Sequence, residues 1–184
     1  MINSKKTKIL VELMHGMGDT VCALPMLKVL RMNFPDSEIT VLIKFASTAD
    51  IIGASHIAID HIVCIDIYKD ISRSLSVLWE LRNRKFDYGI SSCITPVRKA
   101  NFFMKIVKPQ YIVGWQNQGL FFDFLEDKCH FVEANLLSIK EICNIPQRKL
   151  YPKIYTDEIT ITKIREKIGA ENLKKKIVGI CIGT

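Results

Sequence analysis

The segment from Lys8 to Pro25, KILVELMHGMGDTVCALP, constrains this chain more than any other stretch. Its apolar run, Ile9, Leu10, Val11 and Leu13, reads as a short strand. The run enters a turn holding Gly16 and Gly18, then Asp19, then an apolar-rich helix that carries Pro25. Strand, glycine turn and helix N-terminus together bring backbone N–H groups and a carboxylate to the carboxyl edge of a parallel sheet. Open α/β sheets hold their ligands at that edge. The turn is a candidate site by position alone.

Two common phosphate-binding patterns do not fit it. Gly16-Met17-Gly18 is followed by Asp19, Thr20 and Val21, so the third glycine of G-x-G-x-x-G is missing. The acid expected about twenty residues on would be Glu38, which opens the second strand rather than closing it. Gly-Lys-Ser/Thr, the core of a Walker A loop, occurs nowhere. Neither NAD nor ATP binding is supported.

The rest of the chain alternates between short apolar runs and helical patterns. The expected strands are Lys8 to Leu13, Glu38 to Ile43, His61 to Ile65, Tyr88 to Ser92 and Tyr111 to Gly114. Helices are expected over about Thr20 to Asn33, Thr48 to Gly53, Ser72 to Arg84, Pro96 to Val107 and Val132 to Cys143. Repeated βα units of this kind predict an α/β fold, a doubly wound parallel sheet of Rossmann-like type. Pro25 removes one helical hydrogen bond and is expected to kink the first helix. After Pro146 the character changes. Gln147 to Lys153 is basic and extended. Thr156-Asp157-Glu158 reads as a helix cap, and that helix stops at Gly169. Lys176 to Gly183 reads as a buried-type strand.

The N-terminal segment resembles the family 9 glycosyltransferases, the lipopolysaccharide heptosyltransferases and their relatives. In that family a strand leads to a small or polar turn ending Gly-Asp, then a helix with Pro six residues after the Asp. Gly18, Asp19 and Pro25 match. So do Leu27, Leu30 and Arg31, then Phe34 to Ile39 and the strand Thr40 to Ile43. Phe86-Asp87-Tyr88 leads a later strand in a similar way, and Tyr111 to Trp115 looks like the family's strand end at Gly114. The family often has Ser in the turn, where this chain has Met14-His15.

The resemblance implies the N-terminal half of a two-domain GT-B glycosyltransferase. Residues 1–146 would be an acceptor-side domain and 147–175 a linker and helix. Residues 176–184 would be the first strand of a truncated C-terminal donor-binding domain, so the isolated chain is expected to be inactive. The implied reaction is inverting and metal-independent, with no cofactor. The donor is a nucleotide-diphosphate sugar, ADP-heptose by family analogy. The acceptor is an anionic glycolipid or glycan, a lipopolysaccharide core or other surface glycan. The alternative is a non-catalytic, flavodoxin-like ligand-binding module.

Inverting transfer needs one base to take the acceptor hydroxyl proton. Asp19 stands where the family's proposed base stands. Taken without the resemblance it reads as a helix N-cap, because capping Asp residues far outnumber catalytic ones. Gly16 and Gly18 would let backbone approach substrate. Thr20 either bonds substrate or supports the helix start. Lys44 faces the cleft or is a solvated strand end. Ser91, Ser92 and Thr95 follow the fourth strand at its carboxyl edge, and Arg98 and Lys99 lie just beyond as possible holders of acceptor phosphate or carboxylate groups. The aromatic stretch Gly119 to Leu125 is either a helix on the core or a contact with a lipid acceptor.

Composition narrows the setting. No apolar run approaches the ~18 residues needed to span a bilayer, and MINSKKTK lacks a signal core. The chain therefore reads as cytoplasmic. Its net charge of +7 is either a set of solvated helix faces or a field for an anionic acceptor and the inner membrane's cytoplasmic face. No nucleic-acid module is recognisable. The six cysteines lack C-x-x-C spacing and read as buried free thiols; the four histidines lack metal-ligand spacing.

Overall fold

A computed structural model of the chain describes residues 6–92, 97–114 and 130–169, without the side chains of 97–101. The described elements are β1 (Lys8–Leu13), α1 (Met17–Asn33), β2 (Glu38–Ile43), α2 (Ala46–Ala54), β3 (His61–Cys64) and α3 (Ile71–Asn83). They continue with β4 (Tyr88–Ser91), α4 (Val97–Val107), β5 (Tyr111–Gly114), α5 (Phe131–Leu137) and α6 (Glu158–Ile168). Two compact units divide after Lys153. The first carries the sheet and α1 to α5, the second α6. The expected strand over Lys176 to Gly183 and the aromatic stretch Gly119 to Leu125 lie outside the described residues.

All five strands are parallel, in the order β3-β2-β1-β4-β5. The order reverses beside β1. Its two neighbours are the second and fourth strands in sequence, so the connections leave in opposite directions and open a crevice beyond the strand ends. This is the Rossmann order. A flavodoxin-like sheet would run 2-1-3-4-5, so the expected alternative fold is not the one formed.

The central strands are buried on both faces, which is why they read as nearly unbroken apolar runs. Ile9, Val11 and Leu13 of β1 and Val41 and Ile43 of β2 share one core with Leu24, Leu27 and Leu30 of α1, Ile52 of α2 and Leu136 of α5. Leu10 and Leu42 turn the other way, toward Leu78 and Leu81 of α3 and Phe103, Met104 and Val107 of α4. Period-two alternation within each strand thus builds two layers of helices.

Three local expectations need correction. Helix α1 starts at Met17, not near Thr20, and holds Pro25 inside its span. The helix expected to reach Cys143 ends at Leu137: the Ser138 hydroxyl donates to the Asn135 carbonyl at 2.7 Å, and tighter i to i+3 bonds follow at Ile139 and Lys140. Cys143 is buried and Cys22 half-buried, but Cys64 is exposed because it ends the edge strand.

Arg31 pins the amino edge of the sheet. Its guanidinium donates to the carbonyls of Ala58, Pro35 and Ser37 and pairs with Asp60 at 2.6 Å. Burial pushes the Asp60 carboxyl up, but the Ile39 N–H, Arg31 and Lys6 together outweigh it and hold the group below its ordinary value. The residue matched in the sequence motif therefore braces the end of the fold opposite the glycine turn.

Candidate active site

The turn after β1 forms the N-terminus of α1. Gly16 is the N-cap, in extended conformation at φ −77° and ψ 177°, and it supplies no side-chain cap. The first helical bond runs from the Thr20 N–H to the Gly16 carbonyl, at 3.1 Å. The N–H groups of Met17, Gly18 and Asp19 precede it, the open donors of a helix start. Thr20 is fully buried and its hydroxyl also donates to the Gly16 carbonyl, at 3.0 Å. Of its two expected roles, the hydroxyl is committed to supporting the helix.

Asp19 lies in the first turn of α1, three residues past the cap, so the capping role expected without the family resemblance is not the one it has. Its carboxylate is half-buried and makes no hydrogen bond or ion pair among the described residues. Oδ2 folds back to 3.9 Å from the point where a Gly16 Cβ would stand. A Cβ at Gly18 would meet nothing within 4 Å. Neither glycine has a positive φ. Backbone conformation and internal packing therefore leave both positions free to carry a side chain. What glycine does here is keep the space in front of the turn open.

Behind the turn sits a buried polar chain. His15 is 8% exposed, and its Nε2 lies 3.0 Å from Ser92 Oγ. The Ser92 hydroxyl also reaches Asn135 Oδ1, at 3.3 Å, while Asn135 Nδ2 donates to the Phe131 carbonyl at 2.8 Å. The His15 Nδ1 is buried and has no partner with hydrogen-bond geometry among the described residues. Burial pushes the His15 imidazole below its ordinary pKa, against the opposing pull of the Asp19 carboxylate and the Gly16 backbone. Glu12, fully buried in β1, accepts from the Met14 N–H at 2.9 Å and lies in register with Ser91 of β4. The Ser91 hydroxyl is buried without a partner among the described residues.

Gly114 shapes the same edge. It ends β5 at φ +123°, and a Cβ there would stand 2.8 Å from the Ser91 carbonyl oxygen. Only glycine lets β5 close against β4 at this point.

Lys44 follows β2 and lines an open cavity of about 310 Å³ with Met14, Asp66, Tyr68, Phe102 and Phe103. Its ammonium lies 4.8 Å from the Phe45 ring centre and 5.1 Å from that of Tyr68. Arg98 falls in the first turn of α4, one helical turn before Phe102; its side chain and all of Thr95 lie outside the described residues. A second open cavity, about 650 Å³, runs past Cys22 and along α5, with Arg148 and Lys149 among its lining. No three His, Cys, Asp or Glu side chains converge to hold a metal ion among the described residues. None of the described helices is long and apolar enough to cross a membrane.

Of the residues singled out in the sequence, the fold brings Gly16, Gly18, Asp19, Thr20 and Ser92 to the β1–β4 crevice and sets Lys44 in the cavity beside Met14. Glu12 and Asn135 were missed. Glu12 left a signal, a lone acid in an apolar central strand. Asn135 left none, because only the packing of α5 on α1 brings it to Ser92.

No family model matches the chain, and no curated protein matches it by sequence. Solved structures do match. The glycosyl transferase family 9 protein from Veillonella parvula DSM 2008 aligns with a TM-score of 0.66 and 18% identity over 90% of this chain and 50% of its own. The E. coli heptosyltransferase WaaC with ADP aligns at 0.61 and 16% identity, covering 78% of this chain and 50% of its own. WaaC with ADP-2-deoxy-2-fluoro heptose gives 0.60 and 17%, covering 78% and 51%. The fold is that of the family 9 glycosyltransferases. The chain spans about half the length of these structures.

Proposed function

We propose that this chain is the acceptor-side part of an inverting, metal-independent glycosyltransferase of the heptosyltransferase kind. One observation carries the reading: a carboxylate without a capping role stands on an open glycine turn where the sheet's strand order reverses. The domain division proposed is 1–146 for the acceptor side, 147–175 for a linker and helix, and 176–184 for the start of a donor-binding domain.

In this reading the acceptor sugar lies in front of Gly16 and Gly18 with its nucleophilic hydroxyl at Asp19. Asp19 takes the hydroxyl proton as the oxygen attacks the anomeric carbon, and the bond to the diphosphate breaks with its electron pair leaving on phosphate. The donor half supplies the positive charge or N–H dipoles that stabilise the leaving group. Lys44 and Arg98 hold anionic groups of the acceptor, and Tyr68 and Phe102 offer faces to its sugar rings. Ser92 shapes the wall of the crevice. The donor is a nucleotide-diphosphate sugar, ADP-heptose by analogy with the ligands of WaaC. The acceptor is a lipopolysaccharide-core or similar surface glycan, met at the cytoplasmic face of the inner membrane.

The test is nucleoside-diphosphate release by the complete protein, with ADP-heptose and a core glycolipid acceptor, in excess chelator. Acceptor-dependent release that survives the chelator is expected, with none from residues 1–184 alone. Efficient transfer by the 184-residue chain, or acceptor-independent release only, would refute the reading.

A further inference from the structure

Helix α3 carries more apolar surface than the fold uses. Ser74, Leu78 and Leu81 are its buried residues. Ile71, Leu75 and Trp79 recur at i, i+4 and i+8, so they form a stripe along the same helix. They are 62%, 41% and 58% exposed. Apolar side chains at this spacing normally pack inside a protein. Single exposed ones need no explanation, but an aligned set marks a surface that meets something.

Arg82 defines the surroundings of the stripe. Its guanidinium lies 5.0 Å from the Trp79 ring centre and donates to the Ile106 carbonyl of α4 at 3.1 Å. The stripe therefore runs beside the seam between α3 and α4. Charge there is one-sided. α4 contains no acid, and α3 holds only Glu80, which the helical repeat places on the opposite side from Ile71. Lys85 and Lys108 follow the C-terminal ends of the two helices, are exposed, and line one open cavity with Arg82. The acid in that lining, Asp87, accepts from the Lys8 N–H at 2.8 Å.

An apolar stripe flanked by cations is the composition of a helix that lies in a bilayer interface. The Trp79 indole joins an apolar ring to an N–H, which suits the headgroup level, and the cations answer anionic headgroups. A second copy of the chain would instead set like charges against one another. We propose that the side of α3 bearing Ile71, Leu75 and Trp79, with Arg82, Lys85 and Lys108, docks this chain on an anionic lipid surface. The function proposed above puts the acceptor at the membrane but assigns no surface to the contact; only the link to transfer rests on that reading. The stripe starts one helical turn after Tyr68, which lines the cavity beside Lys44. A bilayer held against the stripe lies next to that cavity, where a glycolipid headgroup would enter.

Vesicle co-sedimentation of residues 1–184 tests this. Vesicles of mixed phosphatidylglycerol and phosphatidylcholine should bind the chain. Raised salt, or pure phosphatidylcholine, should release most of it. Leu75→Ser combined with Trp79→Ser should weaken partitioning at least about tenfold, and Arg82→Gln should weaken it about fivefold. Met32→Ser, at an exposed site on α1 across the sheet, should change nothing. The serine pair should keep the parent melting temperature, since both side chains are exposed. No binding to the anionic vesicles, binding that the serine pair leaves intact, or an equal loss in Met32→Ser overturns the proposal. So does a dimer in solution that the serine pair dissolves, because the occupant is then a second copy. In the complete protein the serine pair should lower transfer to a glycolipid in vesicles and spare transfer to its soluble glycan. Loss of both overturns the docking role. Vesicle binding without any transfer refutes the function reading and leaves this inference standing.

Discussion

Gly18→Ala separates a glycine kept for the fold from one kept for a ligand. Gly18 is the second residue of α1, exposed, with a backbone that any residue adopts. A methyl group there meets nothing within 4 Å. Alanine is the better helix former by about 0.5–1 kcal/mol, mostly by restricting the unfolded chain. A chain of this size gains about 2–4 °C for each kcal/mol, so Tm should rise by about 1–4 °C in thermal unfolding followed by circular dichroism. The same methyl group fills the space in which substrate would approach the turn. One misplaced carbon in a fitted site changes transition-state binding by about 1–3 kcal/mol, so kcat/KM of the complete protein should fall at least about tenfold. A lowered Tm would show that the space is not open. A raised Tm with unchanged kcat/KM would mean that nothing approaches Gly18, and the ligand argument for the turn would fail.

Gly114→Ala should lower stability by about 1–3 kcal/mol, because it places a side chain at a positive φ and 2.8 Å from the Ser91 carbonyl oxygen; chemical denaturation measures it. His15 should make the fold acid-sensitive. Burial holds its folded pKa below the ordinary imidazole value, so the unfolded chain takes the proton first and stability falls as pH drops below that ordinary value. His15→Gln should flatten this part of the stability curve, whereas a curve unaltered by the substitution would count against a buried neutral imidazole. Asp60→Ala removes the partner of Arg31 at the amino edge and should lower Tm while leaving kcat and KM of the complete protein unchanged.

The βα alternation was legible because period and apolarity act locally. β1 and β2 fall where the pattern puts them, since a central parallel strand must be apolar on both faces; β5 falls there too, although it is an edge strand. The ends of helices were less legible. Gly18 does not read as helical, yet the helix begins before it, because Gly16 caps in extended conformation and the Thr20 hydroxyl reinforces the same carbonyl. The end of α5 was hidden because Ile139, Ile142 and Cys143 continue the apolar period after Ser138 has turned the chain.

The site was legible as a position and less so as a set of side chains. Gly16, Gly18 and Asp19 are contiguous, so a motif captures them. His15, Ser92 and Asn135 come from three segments that only the sheet order and the packing of α5 bring together. Sequence spacing classed His15 only as lacking a metal pattern. Its burial and its two different ring nitrogens are properties of the fold.

The most direct measurement is turnover of the complete protein carrying Asp19→Asn, set beside its melting temperature. Asparagine keeps the size of the side chain and cannot act as the base. Turnover should fall by about 10²–10⁴-fold, the range of a lost general base, while Tm changes little, since the Asp19 carboxylate makes no hydrogen bond or ion pair among the described residues. Turnover that stays intact while Tm falls would contradict the account and make Asp19 a structural residue of the helix start.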